Sequence, residues 1–371
     1  MSFIQIEIIL IAIVVASACV LPGVFLVLRG MSLMSDAISH AILLGIVVFF
    51  FFVKSLDSPF LIFGASLAGI LTVLLTELLI QTKRLKEDAA IGLVFPLFFS
   101  IAVILITKFV GSVHLDADCV LFGEIAFAPF DRFLINTVDL GPKSLLVMGS
   151  ILCLNALFII VFYKELKLAT FDKGLATALG FSPTLIHYLL MMITSITAVG
   201  AFESVGSILV VALMITPPST AYLLTHNLAR MIFLSLAFGA LSAIGGYAIA
   251  FLINVSIAGA MASMSGLLFV LALFFSPKTG VVYKLALAKK QEIQFSAKML
   301  LVQLLDHEGK ANEYDENTVK NMIEHMGWTP SFANKVSRWA VQQNYIIRQK
   351  DYLKLTSLGR EMAKQVMITE K

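Results

Sequence analysis

The chain has 371 residues, 59% of them hydrophobic and 14% charged, with a formal net charge of +3. A mean hydropathy of +0.92 excludes an ordinary soluble core and points to a polytopic membrane protein. The small net charge singles out no partner, and the scattered cysteines Cys19, Cys119 and Cys153 suggest neither a disulfide framework nor a zinc knuckle.

Apolar runs near the ~20 residues needed to cross a bilayer as a helix predict nine spans. They are Glu7–Leu28, Asp36–Val53, Pro59–Ile80, Ala89–Lys108, Lys143–Tyr163, Pro183–Ala201, Val205–Leu224, Met231–Asn254 and Ser256–Phe275. The first run lacks a basic leader segment and is long enough to span, so it reads as a mature helix. The apolar positions do not alternate with polar ones, which argues against barrel strands. Nine crossings put the termini on opposite sides. Arg29, the group Lys83, Arg84 and Lys86, the group Lys164, Lys167 and Lys173, and Arg230 share one set of loops, which is expected to be cytoplasmic. The N-terminus is then outside and the C-terminus inside. Glycines such as Gly64, Gly69, Gly245 and Gly246 read as close helix packing.

Two ionisable residues interrupt the second span. Asp36 and His40 stand four residues apart and share one helix face. A charge at mid-bilayer costs roughly 2.5–3.5 kcal/mol by insertion scales unless it is paired or faces a wet path. Carboxylate and imidazole one turn apart make half of a divalent-cation site. The other reading is a polar helix end at headgroup level, with Asp36 near the N-terminal dipole.

The opposite set of loops includes the long Phe109–Pro142 connection, where His114, Asp116, Asp118, Cys119 and Glu124 crowd together. It could be a funnel raising local cation concentration, a docking face for a solute-binding protein, or a solvated acidic loop. A re-entrant helix here would change the picture locally. Glu203, near the same surface, could line the path or cap a helix. On the basic side, Gly174, Gly180 and Pro183 cut Ala169–Pro183 into a short helix with defined ends. No GxxxxGK[ST] loop occurs, and the GPKS at Gly141 lacks its spacing, so nucleotide has to be handled by another subunit.

Past Phe275 the composition changes. Residues 278–287 read as a linker and 288–371 as a small soluble domain. Phe295–His307, Glu316–His325 and Pro330–Gln343 read as helices. Tyr345–Arg348 and Tyr352–Leu355 read as a hairpin, and Thr356–Val366 as a last helix capped by Thr356. This is the order of a winged helix-turn-helix, and YIIRQKDYLKLTSLGREMA resembles the wing of small regulators of the metal-dependent repressor and related families. The fold class expected is an all-α polytopic membrane protein of about nine transmembrane helices followed by that domain. Arg338, Arg348 and Lys350 could meet DNA phosphates; the other reading is a domain for protein contacts or dimerisation. His307, Glu308 and His325 could sense metal or could be ordinary surface groups.

Four stretches of the membrane region carry a family resemblance: LRGMSLMSDAISHAILLG, DADCVLFGEI, TFDKGLATALGFSP and ESVGSILVVALMITPPSTAYLLT. Over roughly residues 1–277 the chain resembles the membrane permease of the manganese/zinc/iron ABC importer family. Leu44 departs from it, since many members have proline there. The resemblance implies that Asp36 and His40 are transient ligands of manganese, zinc or iron in the translocation path. It also implies that Phe171, Asp172, Ala176 and Gly180 couple to a separate ABC ATPase. It implies no permanently bound cofactor, ATP on the partner subunit, and an extracytoplasmic metal-binding protein. A second permease copy or sister permease completes the assembly, embedded in the lipid of the bacterial cytoplasmic membrane with the C-terminal domain in the cytoplasm. The rivals are a secondary cation transporter or channel, and a membrane-anchored metal-responsive transcription regulator.

Overall fold

The computed structural model describes residues 3–54, 59–109, 125–135, 138–277, 279–310 and 313–369. The chain divides into two compact units, Met1–Pro277 and Lys278–Lys371. In the first, α1 (Phe3–Arg29), α2 (Ser32–Val53), α3 (Pro59–Gln81) and α4 (Glu87–Phe109) precede a hairpin of β1 (Arg132–Ile135) and β2 (Val138–Pro142). Then come α5 (Lys143–Val161), the short α6 (Tyr163–Phe171) and α7 (Lys173–Ala178), α8 (Pro183–Val205), α9 (Ser207–Leu224), α10 (Leu228–Ile253) and α11 (Ile257–Phe275). Among the described residues nine of these helices are long and apolar enough to cross a membrane.

The first unit is built around α1. Ile11, Ala12, Val15, Ala16, Ala18, Cys19 and Val24 are wholly enclosed, surrounded by α5, α8, α9 and α10. Small side chains make that enclosure workable. A Cβ at Gly23 would strike the backbone of Met214 on α9, and one at Gly45 on α2 would strike Gly64 on α3. With hydrocarbon as solvent, such close backbone approach, not apolar burial, is what draws helices together. The outer helices present Phe52, Phe63, Leu97, Ile104, Leu157, Ile160 and Phe233 outward, an apolar surface suited to lipid or to a packed partner. Gly206 alone joins α8 to α9 at φ 78° and ψ 163°, a conformation open essentially to glycine.

Two long-range contacts fix which helix ends lie together. Ser276 Oγ donates to the Leu223 carbonyl at 2.8 Å, so the end of α11 meets the end of α9. Arg132 Nη1 lies 3.4 Å from Glu7 at the start of α1, so the hairpin sits at the other end. That hairpin corrects the all-α expectation. Ile135 pairs with Val138 and Arg132 with Pro142, with an irregularity between Arg132 and Leu134. Strands this short lack the extended alternating pattern that would announce them.

The second unit holds α12 (Val281–His307), α13 (Glu313–Glu316), α14 (Val319–Met326), α15 (Pro330–Gln342), β3 (Ile346–Gln349), β4 (Tyr352–Leu355) and α16 (Ser357–Thr369). Leu300, Leu301, Leu304, Val336, Ala340, Ile346, Leu353 and Ala363 form its core. Thr318, Thr329 and Thr356 each accept a backbone N–H at a helix start, from Asn321, Phe332 and Gly359. Two expectations are corrected. The linker over 278–287 is helical from Val281, because VVYKLALAKK holds no glycine or proline to stop a helix. The helix expected over Glu316–His325 starts only at Val319, because Thr318 caps it and bridges to Tyr352.

Arg360 hydrogen-bonds Glu308 through Nε at 2.8 and 2.9 Å and also through Nη2. Those hydrogen bonds hold the Glu308 carboxyl below its ordinary range, and the same pairing raises Arg360. A depressed carboxylate pKa contributes stability that is present above the unfolded value, about 4.3, and is lost as pH falls through the folded one. Both tryptophans of the chain, Trp328 and Trp339, lie in this unit. Urea titration of the whole chain, read by tryptophan emission, should therefore show Arg360→Ala less stable than wild type at pH 7. The gap should close below about pH 4. A gap of the same size at both pH values would mean that Arg360 acts through packing and not through the ion pair.

Candidate metal path and ATPase-coupling segment

On α2 the helix brings Asp36 and His40 together, with His40 Nε2 3.4 Å from Asp36 Oδ1. Their side chains are 37% and 28% exposed, so the pair opens off the bundle and is not locked in its core. Two residues that sequence reasoning missed hold the imidazole. His40 stacks on Phe95 at 5.6 Å and meets Phe99 edge-on at 5.7 Å, both from α4. Pro96 lies between them and leaves one carbonyl of α4 without its helical donor. At Leu44, where the family resemblance expects a proline kink, α2 runs unbroken from Ser32 to Val53. Carboxylate oxygen and imidazole nitrogen suit manganese, zinc or ferrous iron. Among the described residues no three His, Cys, Asp or Glu gather as a metal site. The pair therefore supplies two donors and leaves the remaining positions to water or to groups from elsewhere.

At the end of the unit that bears the hairpin, Glu203 Oε1 is 2.8 Å from Lys143 Nζ, which also lies 3.7 Å from Asp131. Glu203 is thus engaged in an ion pair between α8 and the start of α5. Arg132 joins buried Glu7 to Asp139, at 3.4 and 2.6 Å. His114, Asp116, Asp118, Cys119 and Glu124 lie outside the described residues.

At the opposite end, the segment expected to couple to an ATPase stops at Gly180 as read from the sequence, but starts at Asp172 and not at Gly174, which lies inside α7. Asp172 Oδ1 accepts from Leu175 N at 2.8 Å and caps α7. Gly180, at φ 85°, donates to Thr177 O while Phe181 donates to Ala176 O. That is the Schellman pattern, which requires a left-handed residue after the helix. Ala176 is buried and holds α7 against the bundle. Leu175 and Leu179 are exposed one turn apart, and Phe171, at the end of α6 across the extended Asp172, is exposed as well; of these apolar side chains the sequence reading caught only Phe171.

A further cluster was overlooked. Arg29 Nε donates to Thr170 Oγ1 at 3.1 Å, and Arg29 Nη1 lies 3.5 Å from His187 Nδ1. His187 Nε2 lies 3.5 Å from Glu77 Oε2. Four helices, α1, α6, α8 and α3, meet through these groups. The signal was available: Glu77 in LLTELLI and His187 in LIHYLLMM are ionisable residues within apolar spans, which are costly there without a role.

In the second unit Arg338 is exposed on α15. Arg348 is held internally, donating to Asn334 Oδ1 at 2.9 Å and to the Lys350 carbonyl at 3.0 Å. It braces the hairpin against α15. His307, Glu308 and His325 are not brought together. His307 Nδ1 bonds the Gln303 carbonyl, Glu308 pairs with Arg360, and His325 pairs with Glu316.

The sequence model of the ABC 3 transport family matches residues 2–276. The chain is 47% identical over 357 residues to the zinc transport system membrane protein TroD of Treponema pallidum, covering 96% of this chain and 97% of that protein. It is 47% identical over 272 residues to the manganese transport system membrane protein MntD of Bacillus subtilis, covering 73% of this chain and 92% of that protein. Among solved structures, PsaBC from Streptococcus pneumoniae in complex with Fab aligns with a TM-score of 0.62 at 33% identity. That alignment covers 75% of this chain and 94% of the matched chain.

Proposed function

The chain belongs to the ABC 3 transport family, and from that premise we propose how this permease subunit of a zinc, manganese or iron ABC importer handles its ion. The secondary-transporter reading is set aside by the family, and ATP is hydrolysed on a separate subunit. Asp36 and His40 are the ligands at which the ion pauses in the path. One observation supports this above the rest: the pair is 3.4 Å apart, half-open, and held by the rings of Phe95 and Phe99. Two donors from one chain are few. A second permease, a copy or a sister chain, facing the open side would raise the donor count and share the ion. Weak ligation by each chain favours release. Relatives named for zinc and for manganese fit the same donors, which favour neither metal.

The basic loops face the cytoplasm by the positive-inside rule, so α7 meets the ATPase there and the hairpin end faces the metal-binding protein outside. Retained metal, measured in the assembled complex by equilibrium dialysis, tests the shared site. Wild type should exceed a His40→Ala complex by about one ion for each pair of permeases, as a shared transition-metal site requires. A difference of one ion per chain would contradict sharing, and no difference would remove the pair from the path.

For the second unit, residues 278–371, we propose a cytoplasmic winged-helix domain with an anionic partner. The supporting observation is charge segregation. Residues 330–350 hold Lys335, Arg338, Arg348 and Lys350 and no acidic residue, whereas 306–325 hold six acidic residues against Lys310 and Lys320. DNA is the ligand that α15, as the third helix of such a domain, is shaped to enter. Arg338→Ala should then weaken DNA binding by the whole chain in nanodiscs and flatten its salt dependence by about one unit of slope. Arg348→Ala should act through loss of its brace. Unchanged affinity and slope in Arg338→Ala would leave a surface for protein contacts.

A further inference from the structure

We propose that Arg29, with His187 and Glu77, is the joint that carries motion of the ATPase-coupling segment to the helix bearing Asp36 and His40. The inference rests on the reading of α7 as the coupling element. Each link is short. Thr170, whose Oγ1 accepts the hydrogen bond from Arg29 Nε, stands two residues before Asp172, the cap of α7. On the other side Arg29 ends α1, and only Gly30 and Met31 separate it from α2. That connection is stiff: Met31 N donates to Leu26 O at 2.9 Å and Gly30 N to Val27 O at 3.2 Å, with Gly30 at φ 76°. Asp36 follows seven residues after Arg29. A displacement of Thr170 therefore reaches the metal pair through one side chain and one locked turn.

His187 and Glu77 complete the joint. The imidazole stands between guanidinium and carboxylate, with Nδ1 toward Arg29 and Nε2 toward Glu77, each at 3.5 Å. A neutral ring can accept at Nδ1 and carry its proton on Nε2, which faces Glu77 without completing a hydrogen bond to it. Both contacts are longer than ordinary charged hydrogen bonds. Among the described residues, Arg29 Nη2 and His187 Nε2 are both buried without a hydrogen-bond partner. A long contact and a free donor on a planar fork are what a two-position joint needs, because another acceptor can be engaged when α6 and α7 shift. Glu77 ties the same group to α3, which crosses α2 where Gly45 meets Gly64. The start of the metal helix and its Gly45 crossing are thereby both connected to one cluster.

The test uses the whole importer, this permease with its ATPase and metal-binding protein, in proteoliposomes. Metal uptake and ATP hydrolysis are read in the same preparation. Arg29→Gln should lower metal moved per ATP by about fivefold or more while the complex still assembles and hydrolyses ATP. His187→Phe should do the same. His187→Gln should stay near wild type, since an amide can accept from Arg29 and donate to Glu77. Thr170→Val, a milder change, should lower the ratio by about twofold. A wild-type ratio in both Arg29→Gln and His187→Phe overturns the proposal. So does parallel loss of uptake and hydrolysis with His187→Gln as damaging as His187→Phe, which is the mark of a purely structural role. Failure of the coupling reading itself looks different: α7 variants would keep the ATPase bound and coupled.

Discussion

Replacing His40 by alanine should abolish metal uptake while membrane insertion and assembly stay intact. The substitution removes one of two donors in a site that has none to spare. Even the loss of an outer partner of a metal ligand costs about 10–100-fold in affinity or activity, so loss of the ligand itself should exceed that. Insertion should not suffer, because an alanine on this helix face is easier to place in hydrocarbon than an imidazole. The ring does pack on Phe95 and Phe99, so His40→Phe is the informative control. It restores aromatic packing without a donor and should be as inactive as His40→Ala. Asp36→Ala should match them. Uptake by His40→Phe near the wild-type rate would show that the position matters for packing alone.

Replacing Gly180 by valine should detach or uncouple the ATPase, and the cause should be backbone conformation. A Cβ there meets nothing within 4 Å, so crowding is not the issue. The φ of 85° is. Left-handed backbone costs an L-residue roughly 1–2 kcal/mol, and most for a β-branched one. That is comparable to what one capping bond contributes, and α7 has only six residues to resist it. Unwinding would displace the exposed Leu175 and Leu179. Asparagine tolerates left-handed backbone, so Gly180→Asn should keep the ATPase bound where Gly180→Val does not. Co-purification of the two subunits, with ATP turnover, reads the result. Wild-type behaviour of Gly180→Val would show that α7 is not the coupling element.

How much of this was legible in the sequence depended on the range of the interaction. The nine spans were read almost to their ends, since each is a local run of apolar residues. Gly180 was legible because helix stops are also local, whereas Asp172 was named only through the family resemblance and Gly174, read as a boundary, lies inside α7. What escaped was set by distant partners. The bracing of His40 by Phe95 and Phe99 joins α2 to α4. Arg29, Thr170, His187 and Glu77 are up to 158 positions apart. The bond from Arg348 to Asn334 spans 14 residues and was not legible either. The hairpin at Arg132–Pro142 was missed because its strands are too short for a period. The stretch from Val281 was read as linker because Ser276, Pro277 and Lys278 end the last apolar run and the composition changes after it, although its propensities are helical.

The most direct measurement is uptake of labelled manganese or zinc by proteoliposomes holding this chain, its ATPase and the metal-binding protein, with ATP supplied on the face that carries Lys83, Arg84 and Lys86. The account predicts that the ion accumulates against its gradient only while ATP is hydrolysed. It predicts that accumulation disappears in Asp36→Ala and His40→Ala complexes that still bind the ATPase. Accumulation without nucleotide, or ATP-driven accumulation that survives loss of both side chains, would contradict it.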